Sequence, residues 1–271
     1  MPAALIEGHV GWGPIKERHM LTDRYLEGDY LRQAPTWHAE DAPWKASHVL
    51  RMLTKHGIAP RSVCEVGCGS GEVLAELQSK MDADVTFTGF DISPQAISIC
   101  RPKENAKLRF HERDFLQTDR EPETFDVLLV LDVFEHVPDY LGFLGALKTR
   151  ARWIVFHIPL EVTVESVLRK SKYMMHMRET YGHLHFFTKE TALAALEDAG
   201  YKVADTAFTS ELAFGGLAQK PEGLKAILFF PFRSLWILMG MAVFRLAPAF
   251  AARVMKGNNL LVLAEARDRS E

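Results

Sequence analysis

Cysteine is scarce, with only Cys64, Cys68 and Cys100 in 271 residues. An odd number this small builds no disulfide framework. Cys64 and Cys68 have no second Cys/His pair at a zinc spacing, so they read as small apolar residues around a strand end. An excess of either charge is also missing: 32 basic residues face 35 acidic ones, for a net charge of −3. No global positive field therefore marks a nucleic-acid binder, and no nucleic acid is expected among the partners. Internal repeats and low-complexity tracts are absent, and no run reaches the ~20 consecutive apolar residues of a spanning helix. The start, MPAALIEGHVGWG, has neither the basic n-region nor the long apolar core of a secretory signal. Few thiols and no leader together predict a cytoplasmic protein.

At roughly 100–200 residues per domain, the length allows one large domain or two small ones. Apolar residues at 48% and charged residues at 25% are ordinary globular usage. Residues 1–45 form an arm rich in aromatics (Trp12, Tyr25, Tyr30, Trp37, Trp44) and turn formers, without a period. So many large rings predict that the arm packs on the body. From Ala46 to His56 apolar residues recur at helical spacing, ending at Gly57 and Pro60. Short apolar runs then alternate with helical stretches, with strands near Ser62–Val66, Val85–Phe90, Leu108–His111, Phe125–Leu131, Trp153–Ile158, Tyr201–Phe208 and Leu260–Ala264. The unbroken run FDVLLVL marks a central parallel strand covered on both faces. The pattern predicts an α/β fold with a doubly wound sheet over residues 46–271.

Two stretches break the alternation. Residues 159–187 are too long for a plain connection and are expected to form a lid-like insertion. Within it, Met174, Met175 and Met177 read as adaptable core filling or as a substrate-facing apolar lid. Residues 222–256 form an apolar helical insertion. Arg233 and Arg245 confine its longest uncharged run to Ser234–Phe244, so it does not span a membrane. Leu224–Phe250 is then core, a peripheral membrane contact flanked by Lys225, Arg233, Arg245 and Arg253, or a dimer surface.

The informative run is Glu65-Val66-Gly67-Cys68-Gly69-Ser70-Gly71-Glu72, between the first strand and a helix. Glycines let the backbone turn tightly and let a ligand lie against it. In an open parallel sheet the ligand crevice lies beyond the carboxyl ends of the strands, where connections reverse. The loop is G-x-G-x-G rather than the dinucleotide G-x-G-x-x-G, and Glu65 and Glu72 would repel a pyrophosphate. Carboxylates suit a cationic ligand, and the ammonium and sulfonium of S-adenosylmethionine fit that description. Asp91, about 20 residues further on in GFDIS, is placed to accept both ribose hydroxyls. Taken alone it would read equally well as a helix cap. Asp114 and Phe115 offer an acceptor and an aromatic wall for adenine, and Leu131-Asp132 lies where the methionine part and the reacting centre should sit.

CEVGCGSGEVL, GFDISPQAI, HERDF, FDVLLVLDVFEHVPD and GHLHFFTKETALAALEDAGY together resemble a class I S-adenosylmethionine-dependent methyltransferase. Within that superfamily the chain is most similar to the group holding ubiquinone-biosynthesis O-methyltransferases and glycan-cluster methyltransferases. The resemblance implies a seven-stranded sheet of order 3-2-1-4-5-7-6 with the seventh strand antiparallel. It implies that Glu65, Gly67, Gly69, Asp91, Asp114 and Phe115 bind the cofactor. Cys68, Gly71, Ile92, Leu131 and Asp132 complete the candidate contacts. The acceptor implied is a small molecule, a glycan or a lipid-linked intermediate.

Transfer to a hydroxyl requires a base, and histidine titrates in the useful range. His157, at the end of the fifth strand, is the first candidate, followed by His136 and His185, with His183 nearby. For each alone, a structural histidine is the stronger reading. Glu135, His136 and Asp132 have ligand chemistry, as do solvated loop carboxylates such as Asp139, and no resident metal is expected. A non-catalytic cofactor- or partner-binding protein on the same fold is the alternative, and a nicotinamide oxidoreductase is disfavoured by the flanking carboxylates. Acceptor, methylated atom and oligomeric state are left open by the sequence.

Overall fold

The computed structural model describes residues 24–37, 39–117, 123–211 and 224–266, without the side chains of residues 224–233 and 236. Trp12 and the first turn formers of the arm, and the side chains of Lys225 and Arg233, lie outside the described residues.

Seven strands form one sheet: β1 (Ser62–Val66), β2 (Thr86–Asp91), β3 (Leu108–Glu112), β4 (Phe125–Leu131), β5 (Ala151–Pro159), β6 (Tyr201–Ser210) and β7 (Asn258–Ala266). Their order is β3-β2-β1-β4-β5-β7-β6, with β7 antiparallel to both neighbours. This is the predicted Rossmann-like methyltransferase arrangement. Alternation along each strand divides the core into two layers. Val127, Leu129 and Leu131 of β4 join Val155 of β5 on one face, against α2 (Ala42–Lys55) and α3 (Glu72–Lys80). Leu128 and Val130 join Ile154, Phe156 and Ile158 on the other, against α5 (Tyr140–Leu147) and α8 (Lys189–Asp198). Val127–Leu131 is apolar throughout because both of its faces are dry, whereas Asp126, at the exposed start of the strand, accepts from the Arg61 and Ser62 amides instead. Each such Leu or Val contributes about 1.5–3 kcal/mol by leaving water.

The chain order reverses between β1 and β4, so the crevice opens beyond their carboxyl ends. The glycine loop starts there. The amides of Gly67 and Cys68 donate to the Phe90 carbonyl at 2.8 and 3.0 Å, which extends the β1–β2 pairing into the turn. Gly71 ends the loop at φ +72°, where a Cβ would come within 2.6 Å of the Phe110 ring. Only glycine meets both conditions, and α3 starts directly after it.

Three segments depart from the expected boundaries. Helix α2 begins at Ala42, not Ala46, so Lys45 belongs to the helix and the boundary at 45/46 falls inside it. Residues 159–187 hold α6 (Val164–Leu168) and α7 (Lys172–Thr180), and the extended run after them is pinned to the body by the Leu184 and His185 amides on the Glu135 carbonyl. Helix α9 (Leu224–Leu246) runs through Pro231 and is followed by α10 (Pro248–Val254). Before α2 lies the short α1 (Asp29–Gln33), whose Tyr30 ring meets that of Trp37 at a tilt of 47°, with centroids 4.7 Å apart. As expected of an aromatic-rich arm, this segment packs on the body. Tyr25 meets His136 and Tyr181, and Gln95 donates to the Leu26 carbonyl.

Candidate active site

A cavity of about 610 Å³ lies beyond the strand ends, within the size range of small-molecule sites. One end is walled by the glycine loop, Asp91, Ile92, Asp114 and Phe115, the middle by Glu65, Leu131 and Asp132, and the far end by Glu135, His136, Glu161, His183 and Glu211. Tyr25, Tyr30 and Trp37 of the arm complete the wall.

Of the candidate cofactor contacts, Glu65, Gly67, Cys68, Gly69, Asp91, Ile92, Asp114, Phe115, Leu131 and Asp132 all face this cavity. Gly71 does not; its place against Phe110 makes it a packing residue of the loop. Gly67 stands at φ +71° with Val133 2.8 Å from where a Cβ would be, so the loop backbone itself forms the wall. Asp91 holds the loop: Oδ2 accepts from the Gly69 amide at 2.9 Å and Oδ1 from the Ser93 amide at 2.8 Å. A carboxylate oxygen accepts more than one bond, so capacity remains towards the cavity. Burial lifts the Asp91 carboxyl to about 6 despite these amides.

Glu65, in the middle of the wall, is strongly perturbed. It is buried, its Oε2 has no partner among the described residues, and burial, with Asp91 and Asp132 nearby, lifts its carboxyl to about 8 against the pull of Lys45. An acid held this way in a dry wall calls for a donor the protein does not supply.

His157 does not reach the cavity. It is only 2% exposed, with Nδ1 2.6 Å from Asp132 Oδ1 and Nε2 2.9 Å from Thr209 Oγ1. Strand parity explains this: His157 shares the face of Val155, next to α2, where Trp44 meets it edge-on. Both ring nitrogens are occupied, and Nδ1 holds Asp132. Lys45 of α2 takes the other oxygen of Asp132 at 2.9 Å. Burial alone would raise the Asp132 carboxyl, but His157 and Lys45 outweigh it and keep it well below the usual carboxylate range. Asp132 stands at φ +56°, a conformation that only a firmly held non-glycine residue keeps.

His185 also turns away, with Nε2 on the Val137 carbonyl at 3.0 Å and its ring against Tyr140. His136 does line the cavity. The Tyr25 hydroxyl lies 3.2 Å from the Tyr181 carbonyl and 3.1 Å from His136 Nδ1, and His136 Nε2 stands 3.9 Å from Glu135 Oε1. Burial and neighbouring His183 lower the imidazole to about 3, so it is neutral throughout the physiological range. His183 repeats the arrangement, with Nδ1 held by Glu161 at 2.9 Å. Glu135 is fully buried with both oxygens unpartnered among the described residues. Burial first, then Asp132 and Glu161, raise its carboxyl well above the ordinary value.

The sequence reading did not gather this group. Glu135, His136 and His183 offer ligand atoms within 4.8 Å of one another, and Tyr25 and Glu161 orient the two imidazoles from behind. Two imidazoles and a carboxylate with carboxylate backing are a donor set that fits a divalent cation. The only signal in the sequence was Glu-His after the fourth strand and His-x-His some 48 residues later.

Comparison with known proteins shows the fold and the family. The chain is 31% identical over 134 residues to a ubiquinone biosynthesis O-methyltransferase of Actinobacillus pleuropneumoniae serotype 7 (strain AP76), covering 44% of this chain and 56% of that one. The chain thus spans about half the length of that relative. The enzyme of the same name from Idiomarina loihiensis is 26% identical over 208 residues, covering 69% and 80%. Among solved structures, magnesium protoporphyrin IX methyltransferase from Synechocystis with bound S-adenosylhomocysteine superposes with a TM-score of 0.58 at 16% identity, over 92% of this chain and 99% of that one. The family model described as a methyltransferase domain matches residues 37–206, which carry most of the cavity wall, and the chain belongs to that family.

Proposed function

We propose that the protein is a cytoplasmic S-adenosylmethionine-dependent O-methyltransferase acting on a hydroxyl of a small-molecule, glycan or lipid-linked acceptor. The observation that carries this reading is the set of buried carboxyl oxygens on the cavity wall, at Glu65 and Glu135, that lack a donor among the described residues. A ligand with cationic and hydroxyl groups supplies what they lack. The names of the O-methyltransferase relatives support oxygen as the acceptor atom.

In this reading Asp91 accepts the ribose hydroxyls, Phe115 walls the adenine and Asp114 accepts from its amino group. The loop backbone from Gly67 to Gly69 carries the methionine part, with Glu65 facing its positive charge. The donor brings its own leaving group, so the protein's main task is alignment, which contributes up to ~7–11 kcal/mol in favourable cases. The acceptor hydroxyl lies at the far end, where Glu135, once ionised, is the group basic enough to take its proton. His136, whose imidazole burial lowers to about 3, stays neutral and orients the hydroxyl. A carboxyl raised by burial is a stronger base than an ordinary one once ionised. His157 and Lys45 are positioning residues that act through Asp132. Were Glu135, His136 and His183 instead to hold a divalent cation, the cation would take the place of the Glu135 base by making the acceptor hydroxyl more acidic.

The cofactor assignment has a pH signature. Free Glu65, with its carboxyl near 8, keeps its proton at neutral pH. A cationic ligand favours the ionised form, so binding releases a proton and tightens as pH rises. The gain approaches tenfold per unit below the free-state value. S-adenosylhomocysteine affinity should therefore increase about 10- to 100-fold from pH 6 to 8 in calorimetry, and the slope should vanish in Glu65→Gln. A folded protein that binds neither S-adenosylmethionine nor its demethylated product overturns the function. Mass spectrometry of a cell extract incubated with isotopically labelled donor identifies the acceptor.

A further inference from the structure

Helix α9 leaves an apolar stripe without a partner among the described residues. Leu235, Leu238, Met239, Ala242 and Leu246 are all exposed, and their spacing puts them on one helical face, with Leu246 86% accessible. The opposite face, through Ile237 and Gly240, is buried. Exposed Phe250 of α10 follows Leu246 directly. Helix α10 in turn packs on α6, where Val164, Val167 and Leu168 are exposed, Leu168 by 79%. Soluble proteins rarely display this many large apolar side chains on adjoining elements without a use for them.

The balance of charge around these elements is positive. Lys170, Lys172 and Arg245 are exposed and have no acidic partner among the described residues. The nearby acids Glu165 and Glu190 are each neutralised by an arginine, Arg169 and Arg253. Lys256 sits over the Tyr173 ring. No helix of the described residues is long and apolar enough to cross a membrane. A two-fold pairing of this face with a second copy would bring the same cations towards each other. An apolar face with a cationic rim instead complements a bilayer with anionic headgroups.

We infer that α9, α10 and α6 together form a docking surface for an anionic lipid bilayer. The acceptor end of the cavity adjoins it: Tyr173 and Met177 of α7, which packs on α6, and Gly257 and Asn258 just after α10 are cavity-wall residues. Docking on this side brings the cavity close to a lipid-borne acceptor, so the inference deepens the lipid-linked branch of the proposed function. Docking itself does not require the methyl-transfer chemistry.

Flotation of the full chain on phosphatidylcholine vesicles with and without phosphatidylglycerol tests it. Binding to the anionic vesicles should exceed that to neutral ones by about tenfold, and should fall with added salt. The double variant L238E/L246E should lose about tenfold or more of that binding while keeping wild-type affinity for S-adenosylhomocysteine, which reports an intact sheet. If that variant misfolds, K170E/K172E provides the same readout through charge. Failure to float on anionic vesicles overturns the inference, as does flotation that neither variant reduces. Sedimentation showing a stable dimer that L238E/L246E dissociates overturns it in favour of a second copy. Flotation without any cofactor affinity would leave the docking surface standing and remove the methyltransferase function.

Discussion

Replacing Asp91 with alanine should weaken S-adenosylhomocysteine binding about 100-fold or more. Asp91 is the one side chain placed to serve both the ligand and the loop that cradles it. Hydrogen bonds to a charged acceptor are worth about 1.5–3 kcal/mol each, and the ribose offers two. The alanine variant also frees the Gly69 and Ser93 amides, which loosens the glycine loop. Asp91→Asn separates the two effects, since an amide oxygen still accepts one bond but the second oxygen is gone. Calorimetry should rank the affinities wild type, asparagine, alanine. An alanine variant with unchanged affinity removes Asp91 from the site.

The second large effect is expected at the far end of the cavity. Glu135→Gln should lower the rate of methyl transfer about 10²–10⁴-fold, the usual contribution of a positioned proton acceptor, and His136→Ala about tenfold through lost orientation of the acceptor. Affinity for S-adenosylhomocysteine should stay within about threefold in both, because these groups face the acceptor. His157→Ala should behave differently. It removes the imidazole that holds Asp132, so turnover falls by a smaller factor and the pH dependence of cofactor binding changes with it. A single-turnover assay with labelled donor, together with calorimetry, distinguishes the three. Full turnover in Glu135→Gln and His136→Ala would mean that the acceptor loses its proton without help from the protein, as an amine can.

Much of the sheet was legible in the sequence because dry strands have to be written in Val, Leu, Ile and Phe. FDVLLVL has no reading other than a strand covered on both sides, and CEVGCGSGEVL ties a strand end to a helix start. Most of the ligand end followed, since strand ends are fixed once the strands are. His157 was misjudged for a geometric reason. Its position at the end of β5 is correct, but one step of parity decides whether the ring faces the cavity or α2, and position alone does not give parity. His183 was overlooked as a neighbour of Glu135 because only the two amides from residues 184 and 185, reaching a carbonyl 49 and 50 residues earlier, bring them together. The arm was illegible in detail. Tyr25 and Tyr30 make their contacts with the body over more than a hundred residues of sequence separation, and no local period encodes such contacts. The 224–250 stretch was ambiguous because it is apolar on every side, so its pattern alone did not say which side meets other elements.

Lys45, Asp132, His157 and Thr209 form a relay of side chains drawn from α2, the end of β4, β5 and β6. A fragment trimmed to start at residue 46, where the composition changes, would strip the ammonium from a carboxylate left in the interior. Severing a buried ion pair on one side is more disruptive than never having built it. A fragment that keeps Ala42–Lys55 whole avoids that cost, and Tyr25, Tyr30 and Trp37 before it supply part of the wall of the same cavity.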